Sequence, residues 1–156
     1  MAITKIHAIK TTLAKAITYV MNPEKTDGKL LVDGFGVTPE TAYLEFAMTE
    51  KMAEYMVPNK KKDEGNKAYH VMQSFAKNDS ITPEGALELG KQFADELLQG
   101  KYEYVIATHI DKGHIHNHII FNATSSVDYK KFNCHKKIPE VMRGISNKLC
   151  AAKGLS

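Results

Sequence analysis

From Tyr102 to Ala123 the chain reads YEYVIATHIDKGHIHNHIIFNA, and this stretch limits the fold more than any other. Two runs rich in branched and aromatic residues, Tyr102–Thr108 and His114–Ala123, are divided by a short polar turn. That is the pattern of a β-hairpin. Four of the seven histidines, His109, His114, His116 and His118, fall within these strands or at their joint. A single histidine in a sheet is usually structural. Four so close, beside Asp111, point to a metal site.

Strand geometry narrows the ligand set. Alternate residues share a face and stand roughly 6.5–7 Å apart, so an HxH pair converges on one ion. His114 and His118 would stand about twice as far apart, too far for both to reach ligand distances near ~2.1 Å. One adjacent pair therefore supplies two ligands, and His109 supplies a third from across the hairpin. Spacing leaves His114/His116 and His116/His118 as alternatives. Three imidazoles leave positions open for water or phosphate oxygens, as in a catalytic site. Asp111 is expected to accept the second ring N–H of a ligand histidine, with a plain turn aspartate as the alternative. The letters His116-Asn117-His118 invite comparison with HNH nucleases, but their strand context contradicts that finger-like motif.

The rest of the chain interleaves strands and helices. Residues 2–9 alternate as a strand, and 11–21 place Leu13, Ala16, Ile17 and Val20 at helical spacing, with Tyr19 off that stripe. Residues 22–37 read as a loop with a short strand at Leu30–Val32. Thr38-Pro39-Glu40 opens a second helix with an N-cap, a first-turn proline and an acid. Leu44, Ala47, Met48, Met52, Tyr55 and Met56 are its expected buried stripe. Pro58–Asn66 is a polar loop, and 68–76 a strand with His70, Met72 and Ser74 on one face. Thr82-Pro83-Glu84 starts a third helix with Ala86, Leu89, Gly90, Phe93 and Leu97 inward, ended by Gly100. Residues 138–152 form a last helix with Ile138, Met142, Ile145 and Leu149 inward. The expected class is α+β: an open antiparallel sheet of about five strands, with helices packed mainly on one face.

The 156 residues suffice for one domain, and 43% hydrophobic with 25% charged content is that of a globular chain. A net charge of +3 is compatible with a nucleic-acid partner without demanding one. Basic residues cluster at Lys60-Lys61-Lys62, which reads as a solvated face, and at Lys130, Lys131, Lys136 and Lys137. Cys134 and Cys150 make no disulfide framework, so a reduced, cytoplasmic setting is expected, with neither signal peptide nor membrane span.

The string HIDKGHIHNHIIFN, preceded by YEYVIAT, resembles the third motif of the relaxases of plasmids and conjugative elements, the mobilization nucleases of the HUH group. AITYVMNPEKT is similar to their first motif and AYHVMQSFA to their second; GVTPETAYLEF and the terminal GLS resemble Gram-positive members. The likeness runs in order over nearly the whole chain. It implies an open five-stranded sheet and an enzyme that nicks single-stranded or hairpin DNA at an origin of transfer. Tyr19 would be the nucleophile, leaving a 5′-phosphotyrosine. The resemblance selects His109, His116 and His118 as ligands of a divalent ion, Mn²⁺ or Mg²⁺ in the family; imidazoles by themselves favour Mn²⁺, Zn²⁺ or Ni²⁺. His114 would touch a phosphate or shuttle protons, and Asp111 would support the catalytic set. His70 and Ser74 match the DNA-handling second motif. A basic groove for DNA is expected at Lys130, Lys131, Lys136 and Lys137 beside the metal strand, and at Lys25. Implied partners are relaxosome accessory proteins and a coupling protein, with this domain monomeric. Residues 1–156 would be one relaxase domain, the N-terminal part of a longer protein. The alternatives are a rolling-circle replication initiator with the same chemistry, a three-histidine metal hydrolase without covalent intermediate, and a non-catalytic DNA-binding module.

Overall fold

Alternating side chains build five strands: β1 (Ile3–Ile9), β2 (Val32–Phe35), β3 (Ala68–Ser74), β4 (Tyr104–His109) and β5 (His116–Asn122). The structure, a computed structural model, describes residues 2–57, 65–111 and 113–155. The strands form one antiparallel sheet in the order β1-β3-β5-β4-β2. The helices are α1 (Leu13–Val20), α2 (Ala42–Met56), α3 (Pro83–Leu98) and α4 (Ile138–Ala152). The expected α+β class and five-stranded open sheet are those observed.

Each face has its own core, because alternate residues point to opposite sides. Tyr69, Val71, Tyr104, Ile106, Ile119 and Phe121 pack against Phe93, Ala94 and Leu98 of α3 and against Ile138 and Met142 of α4. Across the sheet, Ile9, Ala68, Val105, Ala107 and Ile120 meet Leu13, Ile17 and Val20 of α1 and Ala42 and Phe46 of α2. The pair α3 and α4 thus covers one face, while α1 and α2 cover part of the other. The remainder of that second face carries exposed Lys5 and His7, half-buried Met72 and Ser74, and the histidines. Partial cover leaves Lys5 and His7 open to solvent, while the triad histidines His109, His116 and His118 are buried.

Three local expectations are corrected. The short strand sits at Val32–Phe35 rather than Leu30–Val32, with Leu30 76% exposed. Thr38-Pro39-Glu40 opens a 3₁₀ turn, Pro39–Thr41, before α2 begins at Ala42. There Glu45 receives both the Thr38 amide and the Thr41 hydroxyl. The expected buried stripe of α2 is on the wrong side. Leu44, Met48, Met52 and Met56 are all exposed and Tyr55 is 86% exposed, whereas Ala42, Phe46 and Ala53 are buried. Two small residues flanking one phenylalanine let α2 lie close to the sheet, so the narrower stripe is the one that packs.

The lysines assigned to a groove beside the metal strand lie elsewhere. Lys131 pairs with Thr124, six residues beyond His118 and so roughly 20 Å along the strand direction at ~3.3 Å per residue. Its Nζ donates to the Asn66 carbonyl at 2.8 Å. Lys130 neighbours it, and Lys136 and Lys137 precede Ile138, a member of the core on the sheet face opposite the histidines. Lys60-Lys61-Lys62 lie outside the described residues. Cys134 and Cys150 are both free thiols, and among the described residues no helix is long and apolar enough to cross a membrane.

Candidate active site

Register brings the histidines together. On β4 and β5, His109 stands opposite His116, and Ala107 opposite His118, so the three imidazoles share one face. Ring centroids are 4.1 Å apart for His109–His118, 4.9 Å for His116–His118 and 5.1 Å for His109–His116. One nitrogen from each lies within 4.8 Å of the others, and all three residues are buried. His114 is half-buried, its ring 5.3 Å from that of His116 and outside this triad. Of the two pairs that spacing left open, the geometry gathers His116 and His118.

Several observations fit this triad to a divalent ion. His116 Nδ1 and His118 Nε2 are buried with no hydrogen-bond partner, a costly arrangement for polar atoms unless something else engages them. Burial, then the neighbouring His109, lowers the pKa of His116; the same two causes, followed by His70 and His116, push His118 down to about 2. Imidazoles held neutral at physiological pH keep a lone pair for a cation, the form a ligand requires.

His109 Nε2 lies 2.8 Å from the Val20 carbonyl. A carbonyl only accepts, so Nε2 carries a proton, and ligation of an ion would fall to Nδ1. Val20 ends α1, where carbonyls lack partners within the helix. The same bond therefore finishes α1 and orients a ligand. It also brings Tyr19, one residue earlier, to the site: the residue is 55% exposed and its ring centroid is 6.3 Å from that of His109.

Lys25 and Asp111 lock the loop after α1 to the hairpin turn. Their side chains meet at 2.6 Å, and the Ile110 amide donates to the Lys25 carbonyl at 2.9 Å. The Asp111 bond raises the Lys25 pKa, and the Lys25 bond lowers that of Asp111. Lys25 Nζ also stands 5.4 Å from the centre of the Tyr19 ring. The expectation for Asp111 is thereby corrected: its carboxylate holds Lys25, while the second nitrogen of His109 goes to Val20.

His70 departs from expectation too. It is buried, and its Nε2 is 2.8 Å from His118 Nδ1, which leaves little of its ring to meet DNA. Burial foremost, then the charges of His7 and His109, push its pKa down to about 4. Ser74 is half-buried and directly opposite His116 in the β3–β5 register, at the rim of the triad. Sequence reasoning passed over His7, whose ring centroid is 4.8 Å from that of His70, and Lys77, which reaches Gly113 in the hairpin turn. The alternation Lys5, His7, Ile9 would have placed His7 on this face; nothing in the sequence marks the Val20 carbonyl.

Comparison with known proteins places the chain in a family. A family profile described as "Relaxase: MobA/VirD2-like, nuclease domain" matches residues 19–155. The chain is 38% identical to the group II intron-interrupted relaxase LtrB of Lactococcus lactis subsp. cremoris (strain MG1363), over 82% of this chain and 26% of that protein. It is 31% identical to the protein rlx of Staphylococcus aureus, over 100% of this chain and 43% of the relative. The chain thus spans less than half the length of these curated relatives. A solved structure described as "Molecular Basis of Vancomycin Resistance Transfer in Staphylococcus aureus" shares the fold, with a TM-score of 0.60 at 14% identity over 100% of this chain and 95% of that one. The chain belongs to the MobA/VirD2-like relaxase family and represents its nuclease domain.

Proposed function

We propose that this domain cuts one strand of single-stranded or hairpin DNA at an origin of transfer and holds the cut end covalently during conjugative mobilization. The observation that carries the reading is a partly exposed tyrosine beside a triad of buried, converging imidazoles. Tyr19 Oη attacks the scissile phosphorus, the bond from phosphorus to the 3′-oxygen breaks, and that oxygen leaves with a proton as a 3′-hydroxyl. The phosphotyrosine retains the energy of the broken ester, so the strand can be rejoined later. His109, His116 and His118 would hold a divalent ion, Mn²⁺ or Mg²⁺, or Zn²⁺ or Ni²⁺ in vitro. When bound, such an ion supplies Lewis-acid stabilisation of charge on the phosphate oxygens.

Tyr19 must lose its phenolic proton to act, and Lys25 over its ring favours the charge that develops. His114, outside the ligand triad, serves as phosphate contact or proton carrier. Ser74, with exposed Lys5 and Lys77, lines the open part of the same sheet face and would meet the DNA backbone. In the cytoplasm the domain would work as a monomer inside a longer relaxase, with accessory proteins and a coupling protein.

The test is a denaturing gel of protein, Mn²⁺ and end-labelled single strands from the element's own candidate origin. The expected result is a covalent adduct that Tyr19→Phe abolishes while leaving Mn²⁺ uptake intact. Free cut DNA without adduct would mean a hydrolase, and binding without cleavage a DNA-binding module. An adduct formed only on a replication origin would mean a rolling-circle initiator.

A further inference from the structure

His118 shows its two ring nitrogens to different surroundings. Nδ1 lies 2.8 Å from His70 Nε2, and Nε2 is buried without a hydrogen-bond partner. A neutral imidazole has one N–H and one lone pair. With the proton on Nε2, a buried donor goes unpaired and the lone pair is spent on His70. With the proton on Nδ1, the contact to His70 is a proper hydrogen bond and the Nε2 lone pair is left for an ion. The second arrangement satisfies the His118 donor.

We propose that His70 is the positioning residue of the metal centre: its Nε2 accepts the Nδ1 proton of His118 and so fixes the tautomer in which His118 ligates through Nε2. This rests on the reading of His109, His116 and His118 as an ion site. The fold braces His70 for the task. β3 lies between β1 and β5, so His70 is directly opposite His7 on one side and Ile120 on the other, with His118 two residues along the strand. The His7 ring packs beside it, with centroids 4.8 Å apart. The role that spacing suggested for Asp111 thus falls to an imidazole on a neighbouring strand.

The chemistry of the choice has a consequence. A carboxylate behind a ligand histidine returns negative charge to the centre, whereas the acceptors here, the Val20 carbonyl behind His109 and His70 behind His118, are neutral. More of the ion's positive charge then remains directed at the phosphate.

Two measurements test the assignment. Long-range ¹H–¹⁵N NMR of the metal-free wild-type chain at neutral pH should find His118 protonated at Nδ1; protonation at Nε2 would overturn the proposal, whatever the metal does. Calorimetric titration with Mn²⁺ alone should show His70→Leu weakened by about 10–100-fold. His70→Gln, whose amide oxygen can accept the same proton, should recover most of that loss. Equal affinities for the Leu and Gln variants, both weakened or both unchanged, would reduce His70 to packing and sink the idea. Wild-type chain that takes up no Mn²⁺ would instead defeat the metal reading, while the NMR result still decides what His70 does to His118.

Discussion

At the scale of single residues, the site separates groups that hold an ion from groups that hold the nucleophile. His116 brings a buried nitrogen with no other partner, so His116→Ala should lose metal affinity and nicking together. Calorimetry showing undiminished Mn²⁺ uptake in that variant would contradict the ligand assignment. Asp111 behaves differently because its carboxylate is given to Lys25 at 2.6 Å. Asp111→Ala should therefore bind Mn²⁺ nearly as well as the parent chain. It would release Lys25 and the loop behind Tyr19, and adduct formation in single turnover should fall by roughly 10–100-fold, as expected when a reacting group is slightly misplaced. A collapse of metal affinity in this variant would return Asp111 to the role that its spacing from His109 suggests.

At the scale of elements, the face opposite the triad keeps the strands in register. Asn117, between His116 and His118, points the other way and is fully buried. It accepts from Thr108 at 2.6 Å and donates to Gln73 Oε1 and to the Ala86 carbonyl of α3, tying β4, β3 and α3 to β5. Gly90 of α3 lies against it so closely that an added Cβ would run into the Asn117 amide. Asn117→Leu would leave those buried partners unsatisfied and should lower stability by about 2–4 kcal/mol, read by urea unfolding; a loss under about 0.5 kcal/mol would deny the network that role. The alternation in HIHNHIIFN is enough by itself to put His116 and His118 on a shared face. It could not separate His114 from the pair, because that depends on where the hairpin turn ends and β5 begins. Nor could it reveal His70 behind His118, since a contact between strands depends on register, which single-strand patterns do not encode. The α2 stripe misled for a related reason: counting apolar residues favours Leu44, Met48, Met52 and Met56, while the sheet selects the face that fits closest, through Phe46. Phe46→Ala should accordingly cost about 3–5 kcal/mol, and Met48→Gln no more than about 0.5 kcal/mol, on the same unfolding assay.

At the scale of the whole molecule, the buried imidazoles tie folding to pH, and the sign follows from comparing folded and unfolded chains. Burial pushes His70 down to about 4 and His118 to about 2, and it lowers His116 as well. In the unfolded chain each titrates near its ordinary value of ~6.5. Above that pH both states are neutral at these positions and the histidines add no pH dependence. Below it, the unfolded chain binds protons that the folded chain refuses, so metal-free stability should fall as pH drops. Each histidine kept neutral contributes a slope approaching about 1.4 kcal/mol per pH unit. For His70 this continues until the pH nears 4. Asp111, lowered by its bond to Lys25, loses its own contribution only where carboxylates begin to protonate, and Glu103, raised by burial, opposes the histidines toward the acid end, so the upper part of the interval from about pH 6.5 to 4.5 reports most directly on the imidazoles. Thermal melts in chelator should be level from pH 7.5 to 6.5 and decline steadily below; a level profile down to pH 5 would mean the rings protonate freely within the fold. Mn²⁺ at a hundredfold excess over its Kd should add about 2.7 kcal/mol near neutrality. That increment should itself shrink in acid, because protons and the ion compete for the same nitrogens.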